Sequence, residues 1–206
     1  MDVHMPKPGK TSAHWLLEGL FIVISVTLGF GVAQYRESRA NHELAARVLK
    51  GLQAEVEHNL STLEPFVPRH LTWMDALQKA DLSKGTQNGF DLFIATRPAG
   101  GDLNFAFLRR SAWDAAVSGG TLRLIDYDLA AALSDIYVTQ AVVTGNVERL
   151  ANGAFSSTAT FEPASRAASV RLLWLTMADI QSSEVMLVKL YQKHLPAIRA
   201  AANDAH

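Results

Sequence analysis

Cysteine is absent from the chain, which excludes disulfides, thiolate zinc sites, iron–sulfur ligation and cysteine nucleophiles. That absence does not fix a compartment, because an exported domain of this size is stable without covalent staples. Charge of one sign is lacking too. Nineteen Lys and Arg stand against 20 Asp and Glu in 206 residues, and no basic block occurs beyond the flanks of the first apolar run. Nucleic-acid binding therefore has little electrostatic support and is not expected. The glycines form no phosphate-binding or dinucleotide-binding pattern. Gly100-Gly101 and Gly119-Gly120 are isolated doublets, and there is no Gly-x-Ser-x-Gly elbow. Proline is missing between Lys10 and Glu64, so nothing in that stretch forces a helix to stop.

What is present is one long apolar run, Trp15 to Tyr35, with no comparable segment after it. A helix rises about 1.5 Å per residue and a hydrocarbon core is roughly 30 Å thick, so about 20 mainly apolar residues span it. Leu16 to Ala33, flanked by Trp15 and Tyr35, comes close to that length. Trp15 and Tyr35 bracket the run as interfacial anchors, because each ring satisfies an apolar body and a polar tip at the headgroup level. Glu18 belongs at that level also, since an ionised carboxylate is costly in hydrocarbon, and Arg36 marks the polar exit. The competing reading is a cleavable signal peptide, with Lys7 and Lys10 before the run and the small residues Gly31-Val32-Ala33 near its end. An uncleaved single-pass anchor is the expectation, with residues 1–14 as a tail, 15–35 as the transmembrane helix and 36–206 as a folded domain.

Inside the span, Ser25, Gly29 and Ala33 lie four apart, and Thr27 and Gly31 make a second small-residue stripe on an adjacent face. Such stripes let helix backbones approach closely in lipid. They point to packing against another membrane protein or a second copy of this chain. Orientation is left open: Arg36, Arg39, Arg47 and Lys50 outnumber Lys7 and Lys10, but they are interleaved with Glu37 and Glu43.

After the span the pattern stays helical. Ala45, Leu49, Leu52, Val56, Asn59 and Leu63 follow steps of four and three, predicting a long juxtamembrane helix continuous with the anchor, broken near Pro65 and Pro68. Leu71, Trp73, Met74 and Leu77 predict a further helix ending near Gly85. Residues 85–102 read as a loop, with the apolar run Phe90-Asp91-Leu92-Phe93-Ile94-Ala95 as a short strand or a docked loop segment. A helix is expected to resume at Leu103 and end at Gly119-Gly120. Asp126 caps the next one, carrying Leu129, Leu133, Ile136, Tyr137, Val143 and Leu150, with Gly145 as a point of interruption. Pro163 suits the first turn of a last helix whose buried side is Val170, Leu173, Trp174, Met177, Ile180, Leu187, Tyr191 and Leu195, and Pro196 is expected to kink or end it. The fold class is all-α: an antiparallel bundle of four or five helices behind a membrane helix.

Two blocks carry a resemblance. The first is Glu18-Gly19, the exit Tyr35-Arg36-Glu37-Ser38-Arg39, and the series Leu49, Leu52, Glu55, Asn59. The second is Ser111-Ala112-Trp113-Asp114 through Ser118-Gly119, Leu122 to Ile125, then Leu129, Leu133 and Tyr137. Together the chain resembles a group of uncharacterised bacterial single-pass membrane-anchored proteins with a helical domain of unknown function. The resemblance implies an inner-membrane location with the tail cytoplasmic and the domain exported, although this tail is less basic than theirs. It implies no reaction, substrate or cofactor.

Candidate chemistry is sparse. Glu55 and His58 form a Glu-x-x-His pair, but a di-iron bundle needs a second such pair and further inward glutamates. Glu55 and His58 are read as part of a solvated helix face. His42, His58, His70 and His194 have no zinc-like local spacing. Ser111, Asp114 and Ser118 read as cap or turn formers, and Arg109-Arg110 as a surface cation pair. No catalytic, cofactor-binding or metal residue is assigned, and no enzyme activity is expected. The favoured reading is a noncatalytic accessory or scaffold subunit held by lipid and by a partner membrane protein. The alternative is a membrane-tethered sensory or ligand-binding bundle with a pocket lined by Trp73, Trp113, Trp174 or Tyr137, and a tethered hydrolase or metal enzyme ranks third.

Overall fold

The computed structural model describes residues 12–83, 86–98 and 105–204. Lys7, Lys10, Gly85, Gly100, Gly101, Asp102 and Leu103 lie outside them. Every regular element among the described residues is helical: α1 (Ser12–Leu63), α2 (Phe66–Gln78), α3 (Gly89–Ala95), α4 (Ser111–Ser118), α5 (Tyr127–Arg149) and α6 (Arg166–Asp204). The chain forms two compact units, residues 1–44 and 45–206, and α1 contributes to both.

The described residues of the first unit are all helical. The helix begins at Ser12, ahead of Trp15, so the expected tail 1–14 is partly helical. An 18-residue window near the N-terminus has a mean hydropathy of 1.7, with none of it buried, and Phe21, Ile22, Val23, Leu28 and Phe30 are all exposed. The helix is thus long and apolar enough to cross a membrane.

In the second unit the residues expected to be buried on α1 are buried: Ala45, Leu49, Leu52, Val56, Asn59 and Leu63. Pro65 has no N–H to continue the ladder and restrains Glu64 before it, so α1 ends and α2 starts at Phe66. Pro68 lies in the first turn of α2, where a missing N–H is harmless. The break hardly changes direction. Glu57, Glu64 and His70 bond in turn to Arg199, Gln192 and Glu184, so α1 and α2 run one after the other antiparallel to α6. Asn146 of α5 reaches Asp179 and Ser183 while Gln140 meets Tyr191, which makes α5 antiparallel to α6 and parallel to α1.

Helix α6 is the spine of two apolar clusters. Its C-terminal half, Leu187 to Ala202, packs with Leu49, Leu52, Val56 and Leu63 of α1 and Leu129 to Val143 of α5. Its N-terminal half, Val170 to Ile180, packs with Trp73 and Leu77 of α2, Phe93 of α3 and Leu150. Asp126 caps α5 through Asp128 and Leu129 N–H. Gly145 does not interrupt α5, and α6 continues through Pro196 to Asp204; there the proline forfeits one backbone bond near the end of a helix already held by packing at Leu195 and Ile198.

Three expectations are corrected. Helix α2 stops at Gln78, well before Gly85. The stretch 85–102 is not loop throughout, and the apolar run within it is neither strand nor loop but α3: the Asn88 side chain accepts from Asp91 N–H, and the helix lies so close to α6 that a Cβ on Gly89 would meet the Ser169 Cβ at 2.5 Å. Residues 105–110 carry no helix, and α4 begins only at Ser111. Gly119 and Gly120 do end α4, with Gly120 at φ 63° in the left-handed region that glycine tolerates.

Candidate functional site

Polar side chains buried inside the bundle gather around a strap, residues 105–113. Asn59 and Glu55 sit one turn apart on the inward face of α1 and grip it. Asn59 Oδ1 accepts Arg109 N–H at 2.7 Å and its Nδ2 donates to the Arg109 carbonyl at 2.7 Å, so one amide side chain satisfies both backbone groups. Gln140 of α5 donates to the same carbonyl at 2.9 Å, and its Oε1 accepts from Tyr191 Oη at 2.9 Å and Asn59 Nδ2 at 3.2 Å.

Glu55, only 5 % exposed, takes the next grip. Its Oε2 accepts Ala112 N–H at 2.8 Å and Ser111 Oγ at 3.1 Å; its Oε1 accepts Tyr137 Oη at 2.6 Å and Trp113 N–H at 3.2 Å. The carboxylate meets the free N–H groups at the start of α4, where a helix end favours negative charge. The Trp113 ring stacks on Tyr137 with centroids 4.7 Å apart. Burial, reinforced by Glu55, pushes the Tyr137 hydroxyl far above the ordinary phenol range, and burial raises that of Tyr191 as well. Both phenols therefore act as neutral donors.

The solvated-face reading of Glu55 is overturned. Its neighbours are donors from segments more than 50 residues away, and all four aim at it, so it serves as an acceptor that fastens the strap and has no oxygen left to take a substrate proton. Ser111 is part of this grip. Asp114 pairs with Arg110 through a two-pronged contact and Ser118 bonds back to the Asp114 carbonyl, in keeping with their local roles. Arg109 and Arg110 do not act as a pair: the first is fixed by its backbone, the second by Asp114.

A second polar feature joins α2 to α6. His70 Nδ1 and Glu184 Oε2 are 2.7 Å apart, with the residues 3 % and 1 % exposed, and Phe66, Trp73 and Phe105 rings surround the imidazole. Glu184 Oε1 and Trp174 Nε1 are buried without a hydrogen-bond partner among the described residues. Asn59, His70, Gln140 and Glu184 were all missed as linked groups. The available signal was register: Asn59 stands between Val56 and Leu63, and Glu184 between Ile180 and Leu187, where an apolar residue is expected and a polar one must find a partner.

The aromatic residues offered as alternative pocket linings fall into two groups, Trp113 with Tyr137 in one apolar cluster and Trp73 with Trp174 in the other. Trp73 donates to the Phe93 carbonyl, Trp113 covers Tyr137, and Trp174 borders a surface groove of about 240 Å³ with Leu77, Val170 and Arg171. Among the described residues no three of His, Asp and Glu are placed to hold a metal ion.

Within the first unit, Ser25, Thr27, Gly29, Gly31 and Ala33 are exposed, as are Trp15, Glu18, Tyr35 and Arg36. Ser25 Oγ donates to the Phe21 carbonyl and Thr27 Oγ1 to the Val23 carbonyl, each at 2.7 Å, so both hydroxyls are satisfied within the helix. A Cβ added at Gly29 or Gly31 would meet nothing within 4 Å.

Fold and site together define an all-α protein: a bundle with a strap fastened by buried hydrogen bonds, and an apolar helix long enough to cross a membrane. No family model, curated protein or solved structure matches the chain.

Proposed function

We propose that the protein is a noncatalytic, membrane-anchored accessory or scaffold subunit. Residues 15–35 would cross the membrane and pack against a partner membrane protein, and the bundle would contact that partner outside the lipid. The observation that carries this reading is the fully exposed apolar helix of the first unit, whose small-residue faces leave room for a neighbouring backbone. The bundle supports it from the other side. Its most elaborate polar cluster consumes its own donors and acceptors in fastening a strap, as a structural core does, and leaves none poised toward a cleft. The resemblance noted from sequence favours a bacterial inner membrane with the domain exported.

Gly29→Leu tests the reading. A bulky side chain at the stripe should separate the backbones and shift the detergent-extracted complex to smaller size on a native gel, while the melting of the bundle is unchanged. A complex of unaltered size in that variant would remove the stripe from the interface.

A further inference from the structure

Helices α5 and α6 leave a groove between them that takes no part in holding the strap. It encloses about 180 Å³ and is lined by Asn146, Arg149 and Gly153 on one side and by Leu172, Thr176 and Asp179 on the other. The α6 residues follow steps of four and three, so they share one face of that helix. Asn146, 6 % exposed, ties the two sides together. Its Nδ2 donates to the Asp179 carbonyl at 3.2 Å and to Ser183 Oγ at 3.1 Å, and its Oδ1 accepts from Arg149 Nη2 at 2.7 Å. The Arg149 guanidinium is therefore propped by a buried amide that is itself fixed to α6. Thr176 Oγ1 donates its hydrogen to the Leu172 carbonyl at 2.9 Å, which leaves the oxygen as an acceptor. A Cβ on Gly153 would meet nothing within 4 Å, so space is open beside it.

Arg149 and Asp179 are exposed and line this groove with opposite charges, yet among the described residues they make no ion pair with each other. An exposed pair gains little in water, and Arg149 is directed to Asn146 instead. A lone anion in the groove is repelled by Asp179, and a lone cation by Arg149. A molecule that carries both charges a few ångströms apart gains from both. The propped guanidinium also loses little freedom when it binds. Size narrows the class: at about 30 Å³ per water, the groove has room for about six, which is the space of a small amino acid.

We propose that this groove binds a small zwitterion, of the class of a free aliphatic α-amino acid. Its carboxylate takes the guanidinium fork of Arg149 in a charge-assisted contact. Its ammonium donates to the Asp179 carboxylate and the Thr176 oxygen, and its side chain lies on Leu172, an apolar residue 48 % exposed, toward Gly153. The site lies wholly within the second unit and is independent of the accessory-subunit reading.

The test is calorimetric titration of the full chain in mild detergent with glycine, L-alanine, L-valine and L-leucine, followed by the N-acetyl and the amide forms of whichever binds most tightly. The N-acetyl form lacks the ammonium and the amide form lacks the carboxylate. The expected result is saturable binding of an amino acid, at least tenfold weaker binding of both blocked forms, and at least a tenfold loss in Arg149→Gln and in Asp179→Asn with melting unchanged in the absence of ligand. No saturable binding of any of the four up to about 10 mM overturns the site. Blocked forms that bind as well as the parent overturn the zwitterion, and undiminished binding in either variant overturns the groove. The blocked forms are measured on wild type and so decide even if a variant unfolds.

Discussion

Glu55→Gln is the perturbation that most sharply tests the strap. The amide is nearly isosteric, so no cavity opens, but one carboxylate oxygen is replaced by an NH2 group that faces donors instead of accepting from them. Two of the four bonds to Ala112, Ser111, Trp113 and Tyr137 are lost. Hydrogen bonds to a charged group contribute about 1.5 kcal/mol or more each, so the variant should be less stable by about 3 kcal/mol. For a domain of this size that corresponds to a fall in Tm of about 6–12 °C. Circular dichroism of the full chain in detergent reads the shift, and the near-ultraviolet signal of the stacked Trp113 and Tyr137 reads local loosening. Tyr137→Phe removes one donor and leaves Glu55 three, so it should cost about 1.5 kcal/mol, half the loss of Glu55→Gln. The double variant should then be less destabilised than the sum, because the two side chains share a bond. A fall in Tm below about 2 °C for Glu55→Gln, outside the range set by the loss of two such bonds, would refute the assignment of Glu55 as the fastener.

Other expectations follow from the same packing. His70→Leu leaves a buried Glu184 without the partner it has among the described residues and should destabilise by roughly 3–5 kcal/mol, whereas adding Glu184→Leu should recover part of that loss; chemical denaturation decides, and a double variant worse than the single contradicts the pairing. Gly89→Ala should destabilise by about 1–3 kcal/mol, because the new methyl collides with Ser169 where α3 meets α6; an unchanged midpoint means the two helices are not in contact. Asn59→Leu should release the Arg109 amide, raising its hydrogen-exchange rate while amides in the middle of α6 keep theirs. Equal protection of Arg109 in wild type and variant would show that the strap is held by something else.

How far the sequence revealed this depends on the range of the contacts. The long apolar helix near the N-terminus, the stripe from Ala45 to Leu63, the Asp126 cap and the buried side of α6 are local patterns, set by helical period and capping chemistry, and all are legible. Helix α3 was hidden by the glycines and proline around it, although Asn88 three residues before Asp91 was a capping signal that could have found it. The non-helical course of 105–110 was not legible, since Phe107 and Leu108 fit an apolar helix equally well and the real determinant is Asn59, 50 residues away. Glu55 misled for a related reason. A glutamate at the edge of an apolar stripe is usually solvated, and only tertiary structure brings the start of α4 onto it. No local period encodes a partner at such separation, whereas Asn59 and Glu184, lodged at core positions, already signalled that buried hydrogen bonds had to exist.

The central claim is that the chain works as a subunit of something larger. Its most direct test is extraction from native membranes in mild detergent, followed by native-gel sizing and mass spectrometry of whatever travels with it. A reproducible heterologous membrane partner in fixed stoichiometry is the expected result. Migration as a lone chain or a simple homo-oligomer would contradict the accessory role and shift attention to the groove beside Trp174 as a ligand site.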